Sequence, residues 1–108
     1  MPDAIIKNYI NGEWVAAAAT ETGDIFNPAT GATIATVPYS GRADVERAVT
    51  AARDAYPEWR ETPPLTRARY LFRLKEAFED EFEEIARTLT TEHGKAIDEA
   101  RGEVRRMI

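Results

Sequence analysis

Two sets of side chains in this sequence have types and spacing that could support chemistry. The only histidine of the chain, His93, stands in the segment EHGK, and an imidazole with a suitable neighbour can transfer protons or bind a metal. The acidic run EAFEDEFEE, residues 76–84, could hold a divalent cation or supply a pair of carboxylates for acid–base catalysis. What each set can do depends on the element that carries it.

The acidic run follows a helical pattern. Apolar residues recur at helical spacing from Leu65 to Leu89, so the glutamates fall on the solvent side of an amphipathic helix, and we interpret them as ordinary surface carboxylates. His93 precedes Gly94, and a glycine directly after the last periodic residue commonly ends a helix. Since no serine, cysteine or second histidine lies nearby, we interpret His93 as part of a helix end, where a cation favours the helix dipole.

Composition excludes several classes of function. The chain has 108 residues and a net charge of −5, with 19 acidic against 14 basic side chains, whereas nucleic-acid binding needs a basic face. It contains no cysteine, which excludes a thiol nucleophile, a cysteine-ligated metal and a disulfide within these residues. No run is apolar enough to cross a bilayer, and residues 1–10 lack a secretory pattern. We expect no nucleic-acid partner, no membrane and a cytoplasmic location.

The first part of the chain predicts strands and turns. Asn11-Gly12 separates two apolar-rich runs, and this dipeptide suits the two positive φ angles of a type I′ turn, so a β-hairpin is predicted over residues 5–17. In the segment NPATG, Pro28 fixes the second turn position and Gly31 allows the exit. The strands that flank this second reversal are predicted at 24–26 and 33–37.

From Ser40 onward the apolar period changes from that of a strand to that of a helix. The expected helices cover residues 42–55, 64–92 and 96–108, the second with a break near Asp80. We expect Pro57 to end the first helix and Thr62 to cap the second. Gly94 is expected to have a positive φ at the corner before the last helix.

Several segments together resemble the N-terminal region of the aldehyde dehydrogenase superfamily over residues 6–108. They are YINGEWV, IFNPATGATIATVPYSGRADVERAVTAARDAYPEWR, TRARYLFRLKEAFEDEFEEIARTLTTEHGK and DEARGEV. RARYLFRLKEAFE and EHGKAIDEARGEVRR are most similar to the methylmalonate-semialdehyde dehydrogenase branch, although the succinate-semialdehyde and betaine-aldehyde branches share the scaffold.

The resemblance implies an α/β fold, in which an N-terminal β-hairpin and short strands are followed by helices as part of a Rossmann-type cofactor domain. Residues 1–108 would form the N-terminal portion of that domain, with the hairpin and short strands at 5–40 and the helices at 41–108. Because the last helix reaches Ile108 without a stop signal, we expect the chain to be truncated.

The resemblance also implies an oxidoreductase that binds NAD or NADP, forms a thiohemiacetal between an aldehyde or semialdehyde and a cysteine, and releases the acyl group to water or coenzyme A. In this family the cysteine, the glycine-rich cofactor turn, the ribose-binding lysine and the oxyanion asparagine lie downstream of the matching region. Asn27 and Lys95 therefore do not take these roles, and no catalytic or cofactor-binding residue is expected in this segment. Alone, it is expected to bind no cofactor and to be inactive.

The partners implied are the remainder of the parent enzyme, a small-molecule aldehyde or semialdehyde in the full-length protein, and further copies in a homo-oligomer. One binding site is implied as well. Many relatives hold a monovalent cation at backbone carbonyls of the strand before NPATG and at an acidic side chain before the GK joint, which correspond here to Ile25, Phe26 and Glu92. This chain has Glu92-His93 where relatives commonly have an acidic residue and then asparagine, and the longer glutamate would displace the ion.

The residues leave a second class of function open. A free-standing, non-catalytic helical module for interaction or oligomerisation would also lack a catalytic constellation. The sequence that follows Ile108 in the gene would separate this alternative from a segment of a dehydrogenase.

Overall fold

The computed structural model describes residues 5–108, which form two β-hairpins followed by four helices. The elements are β1 (Asn8–Ile10), β2 (Glu13–Val15), β3 (Thr22–Phe26), β4 (Thr33–Pro38), α1 (Arg42–Glu61), α2 (Pro64–Asp80), α3 (Phe82–His93) and α4 (Ile97–Met107). The predicted α/β class, with strands first and helices after them, is confirmed. Residues 1–4, part of the stretch in which no secretory pattern was predicted, lie outside the described residues.

The chain forms two compact units. The first contains the described residues up to Phe26 together with Thr33–Glu61, and the second contains Asn27–Ala32 and Thr62–Ile108. The four strands and α1 therefore belong to the first unit. The NPATG turn belongs to the second unit, with α2, α3 and α4.

The first hairpin forms as its turn residues predict. Asn11 has φ 53° and Gly12 has φ 81°, the two positive angles that a type I′ turn requires. β1 and β2 pair antiparallel, with Tyr9 directly opposite Trp14, and the ring centroids of these two residues are 5.0 Å apart. A cross-strand aromatic pair of this kind stabilises the register of a short hairpin.

The second hairpin surrounds the NPATG segment, as predicted. β3 and β4 pair antiparallel, and the register slips by one residue between Ile25 and Phe26. The turn closes through Asn27, whose N–H donates to the carbonyl of Ala32 at 2.8 Å and whose carbonyl accepts the N–H of Gly31 at 2.8 Å. Such a slip interrupts the regular ladder at the end of β3.

Helix α1 is longer than the sequence predicts, because Pro57 lies inside it and does not end it. A proline removes one helical hydrogen bond, here to the carbonyl of Arg53, and disfavours the helical conformation of the residue before it. Pro57 begins the final turn of α1, however, and its fixed φ suits a helical position. The cost of one bond is therefore tolerated, and the helix continues to Glu61.

Helices α2 and α3 are nearly one element. The residue that precedes α2 is Pro63, so the prediction that Thr62 caps this helix is wrong; Pro64 opens the first turn, where no backbone N–H donor is required. The break predicted near Asp80 is confirmed at Glu81, which separates α2 from α3. Helical hydrogen bonds continue across it, since the N–H of Glu81 donates to the carbonyl of Ala77 at 3.1 Å.

The core of the second unit lies between α3 and α4. Its fully or almost fully buried members are Ala86, Ala100 and Val104, and the partly buried Phe82, Ile85, Leu89, Ile97 and Ile108 pack against them. The apolar face predicted for the last helix is thereby confirmed at Ala100 and Val104. Small alanine side chains at the centre allow two helices to approach closely.

Ion pairs flank this core. Arg101 on α4 donates from Nε and from Nη2 to the two carboxylate oxygens of Glu83 on α3, each at 2.9 Å, and from Nη1 to Asp98 at 2.8 Å. A bidentate guanidinium–carboxylate pair is geometrically specific. The hydrogen bonds from Arg101 lower the pKa of the Glu83 carboxyl below its usual range.

This lowered pKa predicts acid sensitivity of the α3–α4 pair. A carboxyl whose folded pKa is depressed adds stability above its unfolded pKa, and that contribution is lost as the pH falls through the folded pKa. We expect the chain to become less stable as the pH is lowered from about 5 to about 3. The midpoint of its denaturation curve, followed by far-UV circular dichroism, should decrease over this range. Glu83→Gln should lower the midpoint at neutral pH and reduce this dependence, because the amide does not titrate.

Glu84→Gln is the matched control, since the neighbouring carboxylate is exposed and the ion pairs of Arg101 in the described chain are made with Glu83 and Asp98. It should retain the pH dependence of the wild type. If Glu83→Gln and the wild type lose stability with the same slope, the pair with Arg101 does not carry the effect.

Candidate functional site

The NPATG turn uses its polar groups for its own closure. The side-chain Oδ1 of Asn27 accepts the N–H of Ala29 at 2.9 Å, an arrangement that fixes the start of a turn. Thr30 Oγ1 accepts the N–H of Ala32 at 3.3 Å, and Gly31 has φ 72°. Asn27 therefore acts as a turn residue, in agreement with the interpretation from the sequence.

The corner between α3 and α4 is a left-handed glycine cap. Gly94 has φ 80° and its N–H donates to the carbonyl of Thr90 at 2.9 Å, which confirms the predicted positive φ. A Cβ atom placed on Gly94 would lie 2.9 Å from Cγ of Pro28. The corner thus rests directly on the NPATG turn of the same unit, and both the φ and the available space require glycine here.

His93 and Lys95 stand on either side of this glycine. His93 is exposed in the last turn of α3, as predicted for a helix end. Lys95 is only 14 % exposed and forms an ion pair with Glu103 of α4. The hydrogen bond from Lys95 lowers the pKa of the Glu103 carboxyl. Lys95 therefore joins the corner to the following helix and is engaged by a carboxylate.

The acidic run carries surface ion pairs. Glu79 pairs with Lys75 one turn earlier on the same helix, and Glu83 pairs with Arg101 across to α4. Within residues 5–108, no group of three or more histidine, cysteine, aspartate or glutamate side chains is placed to hold a metal ion. The run behaves as the charged face of α2 and α3.

The residues of the predicted cation site lie in two different units. Ile25 is half-buried in β3, and Phe26 ends this strand at the register slip, with its side chain 52 % exposed. Glu92 is exposed, one residue before the end of α3. The residue left without a partner by the slip is Ile34 of β4, since Ile25 pairs with Ala35 and Phe26 with Thr33.

A buried acid, Asp44, was missed by the sequence interpretation. It lies in the first turn of α1 with 4 % of its surface exposed, and its two carboxylate oxygens accept the N–H of Ala18 at 3.1 and 3.2 Å. It thereby ties the segment after β2 to the helix. The sequence offers one indication, since acidic residues are favoured in the first turn of a helix.

Asp44 also affects whether the start of α1 can bind the phosphate of a cofactor. In the described part of the chain, β4 leads into α1 through Tyr39-Ser40-Gly41, a connection with a single glycine where a dinucleotide fold needs a glycine-rich turn. The carboxylate of Asp44 occupies the start of α1, and its negative charge opposes binding of a phosphate there.

Each of the two units has an open groove on its surface. One, of about 540 Å³, lies between the first hairpin and α1, with Ile10, Val15, Arg47 and Ala51 among its lining residues. The other, of about 440 Å³, follows the junction of α2 and α3 past Leu74, Phe78 and Ile85. In the described residues no helix is both long and apolar enough for a membrane span.

Comparison with known proteins finds aldehyde dehydrogenases by family, by sequence and by structure. The model of the aldehyde dehydrogenase family matches residues 14–108. A malonate-semialdehyde dehydrogenase from Bacillus pumilus is 48 % identical over 104 residues, which are 96 % of this chain and 21 % of that protein. The chain thus spans about a fifth of the length of the curated relatives it matches.

Solved structures of semialdehyde dehydrogenases also match this chain. A protein from Sinorhizobium meliloti 1021, described as a methylmalonate-semialdehyde dehydrogenase and solved with NAD, matches with a TM-score of 0.85 and 38 % identity, over 94 % of this chain and 20 % of its own. Succinate-semialdehyde dehydrogenase from Burkholderia pseudomallei matches with a TM-score of 0.87 and 40 % identity, over 93 % of this chain and 21 % of its own.

The contact between Gly94 and Pro28 yields a stability prediction. Gly94→Ala should lower the free energy of unfolding by at least about 1 kcal/mol, because the added Cβ opposes the left-handed conformation and meets the proline ring. Chemical denaturation followed by far-UV circular dichroism measures the change.

Gly102→Ala is the matched control. Gly102 lies inside α4, and nothing stands within 4 Å of a Cβ added there, so alanine should stabilise the helix by roughly 0.5–1 kcal/mol. A Gly94→Ala variant as stable as the wild type would contradict the tight contact at the corner.

Proposed function

Because this chain belongs to the aldehyde dehydrogenase family, we propose that it is the N-terminal segment of an NAD- or NADP-dependent semialdehyde dehydrogenase. In this proposal the segment is scaffold, and the groups that perform the reaction lie elsewhere in the parent polypeptide. The family assignment made from the sequence is confirmed; the reaction, the partners and the role of the segment are the proposal.

The supporting observation is the 48 % identity to a malonate-semialdehyde dehydrogenase across 96 % of this chain. The solved relatives include one bound to NAD and one that acts on succinate semialdehyde by its name. A short dicarboxylic semialdehyde is thus the substrate class we propose. Since the chain covers 21 % of the curated relative, most of the parent enzyme would lie outside it.

The reaction of such an enzyme sets what these residues need to do. A thiolate adds to the aldehyde carbon to form a thiohemiacetal, hydride then passes to the nicotinamide, and the resulting thioester transfers its acyl group to water or coenzyme A. This chain has no cysteine and no glycine-rich strand-to-helix turn among its described residues. In this proposal the chain contributes strands and helices that support the domain in which the reaction takes place. The parent enzyme is a homo-oligomer in the cytoplasm.

The proposal is tested by comparing two proteins. The 108-residue chain should form no NADH above a protein-free blank with malonate, methylmalonate or succinate semialdehyde, because it offers no thiol. The full-length product of the gene should reduce NAD or NADP with at least one of these semialdehydes, and parallel assays with and without coenzyme A identify the acyl acceptor.

Two results would contradict the proposal. Turnover by the 108 residues alone would place catalytic groups within them. A full-length product that oxidises none of the aldehydes, betaine aldehyde included, would favour the non-catalytic interaction module instead.

A monovalent cation bound by the carbonyls of Ile25 and Phe26 and by the Glu92 carboxylate remains part of the proposal. The support is chemical, since backbone carbonyl and carboxylate oxygens suit a hard cation. In the full-length protein, replacing choline with potassium at constant ionic strength should raise the thermal midpoint, because an ion that binds the folded state stabilises it.

Glu92→Gln should abolish this increment, and Glu84→Gln, which alters another exposed glutamate of α3, should retain it. An equal potassium effect in the wild type and in Glu92→Gln would remove Glu92 from the site.

A further inference from the structure

The turn of the first hairpin holds two adjacent residues that can react with each other. A backbone nitrogen can attack the side-chain amide of an asparagine directly before it, and adjacency makes this reaction intramolecular. Glycine hinders the attack least, since it has no side chain. Asn11 and Gly12 form such a pair, and both are exposed. No atom of the described chain beyond the adjacent residues lies within 4 Å of a Cβ built on Gly12, so the turn is uncrowded at this position.

The other asparagines of the chain are held in place or cannot react. Asn8 is half-buried in β1, and its amide exchanges two hydrogen bonds with Ser40, since Nδ2 donates to Oγ at 3.0 Å and Oδ1 accepts from Oγ at 3.4 Å. Asn27 is followed by Pro28, whose backbone nitrogen has no hydrogen to lose and therefore cannot form the neutral cyclic product. Asn11, by contrast, has no hydrogen bond to its side-chain amide within residues 5–108.

The hairpin determines how often the pair at its tip can react. A type I′ turn holds ψ of its first central residue at about +30°, and this angle turns the nitrogen of the next residue away from the side chain. The turn must therefore open before the nitrogen of Gly12 can reach Cγ of Asn11. β1 and β2 have three residues each, and a two-stranded hairpin is only marginally stable by itself. Local opening of such an element costs little free energy.

We propose that Asn11 is a site of spontaneous deamidation in the folded protein, and that Asn8 and Asn27 are protected. The backbone nitrogen of Gly12 attacks Cγ of Asn11, and the new bond closes a succinimide ring. The bond between Cγ and Nδ2 breaks, and ammonia leaves with the hydrogen that the Gly12 nitrogen has lost. Water then opens the ring, so the overall change is hydrolysis of an amide, with no oxidation or reduction.

Water can open the succinimide at either of its carbonyl carbons. Attack at Cγ leaves an aspartate side chain on the original backbone, and aspartate tolerates a positive φ as asparagine does, so the hairpin is kept. The new carboxylate joins Glu13, Glu46 and Asp54 around the groove between the hairpin and α1. Attack at the main-chain carbon gives isoaspartate, whose backbone continues through the side chain and is longer by one carbon atom. Because the length of the turn fixes the register of a hairpin, this product loses the pairing of Tyr9 with Trp14.

The test follows all the asparagines in one peptide of the full-length protein. Trypsin cleaves after Lys7 and Arg42 and releases residues 8–42, and fragment masses locate the increase that accompanies replacement of the amide nitrogen by oxygen. The folded protein is incubated at mildly alkaline pH below its thermal transition and then digested briefly at acidic pH. The inference expects Asn11 to convert several-fold faster than Asn8, with Asn27 unchanged. Neither cofactor nor substrate is needed, so the result is independent of aldehyde oxidation.

Two results of this experiment would overturn the inference. One is a folded protein that keeps Asn11 intact over a period in which a sample denatured in urea is fully converted, because the hairpin would then protect the site. The other is conversion of Asn8 in the folded protein at the same rate as Asn11, since the hydrogen bonds with Ser40 would then give no protection.

The products test the route of the reaction. A succinimide intermediate gives both isoaspartate and aspartate, and the two forms of the peptide separate by chromatography. Direct attack of water on the side-chain amide would give aspartate alone, and this result would contradict the role of the Gly12 nitrogen.

Paired variants test whether opening of the hairpin limits the rate. Trp14→Ala removes the cross-strand ring contact with Tyr9 and should accelerate conversion of Asn11 several-fold, because the pair stabilises the closed hairpin. Trp59→Ala, the matched control, alters the other tryptophan, which lies in α1, and should keep the wild-type rate. Both variants should match the wild type in urea. Equal rates for the two folded variants would show that the turn does not need to open.

Discussion

The described residues bury few apolar side chains, and the arrangement of the second unit depends on the small seam between α3 and α4. Ala86 and Ala100 have no exposed surface and Val104 almost none, so the two helices lie close along this line. That proximity is what brings Arg101 within hydrogen-bond distance of Glu83. Without it the ion pairs would be separate surface charges, which contribute little to stability.

Features set by a few neighbouring residues were predictable from the sequence. Asn11-Gly12 determines a hairpin because two adjacent positive φ angles are demanded by the turn itself, and Gly94 ends a helix for a similar local reason. The errors arose where a local preference is weak. Pro57 costs one hydrogen bond and the rest of α1 tolerates it, and the residue that precedes α2 is Pro63, not the predicted cap Thr62.

Contacts between distant residues were beyond sequence patterns. The pair of Arg101 with Glu83 joins residues 18 apart on two helices, and the Asp44 carboxylate reaches the backbone of Ala18, 26 residues earlier. Each pair joins two different elements, so the periodicity of a single helix or strand does not predict it. For the candidate site, the sequence correctly assigned Asn27 to a turn and Lys95 to a helix joint, whereas the partner of Lys95, Glu103, emerged only from the packing of the corner.

The division of the chain into two units has a spectroscopic consequence. Both tryptophans of the sequence, Trp14 and Trp59, belong to the first unit, and the ring of Trp14 contacts that of Tyr9 at a tilt of 59° in the hairpin. Most of the helical residues, in α2, α3 and α4, belong to the second. Indole fluorescence therefore reports on one unit and the helical ellipticity mainly on the other. Superimposable transitions by the two probes are the mark of a single cooperative step, so the positions of two indole rings make the coupling between the units directly observable.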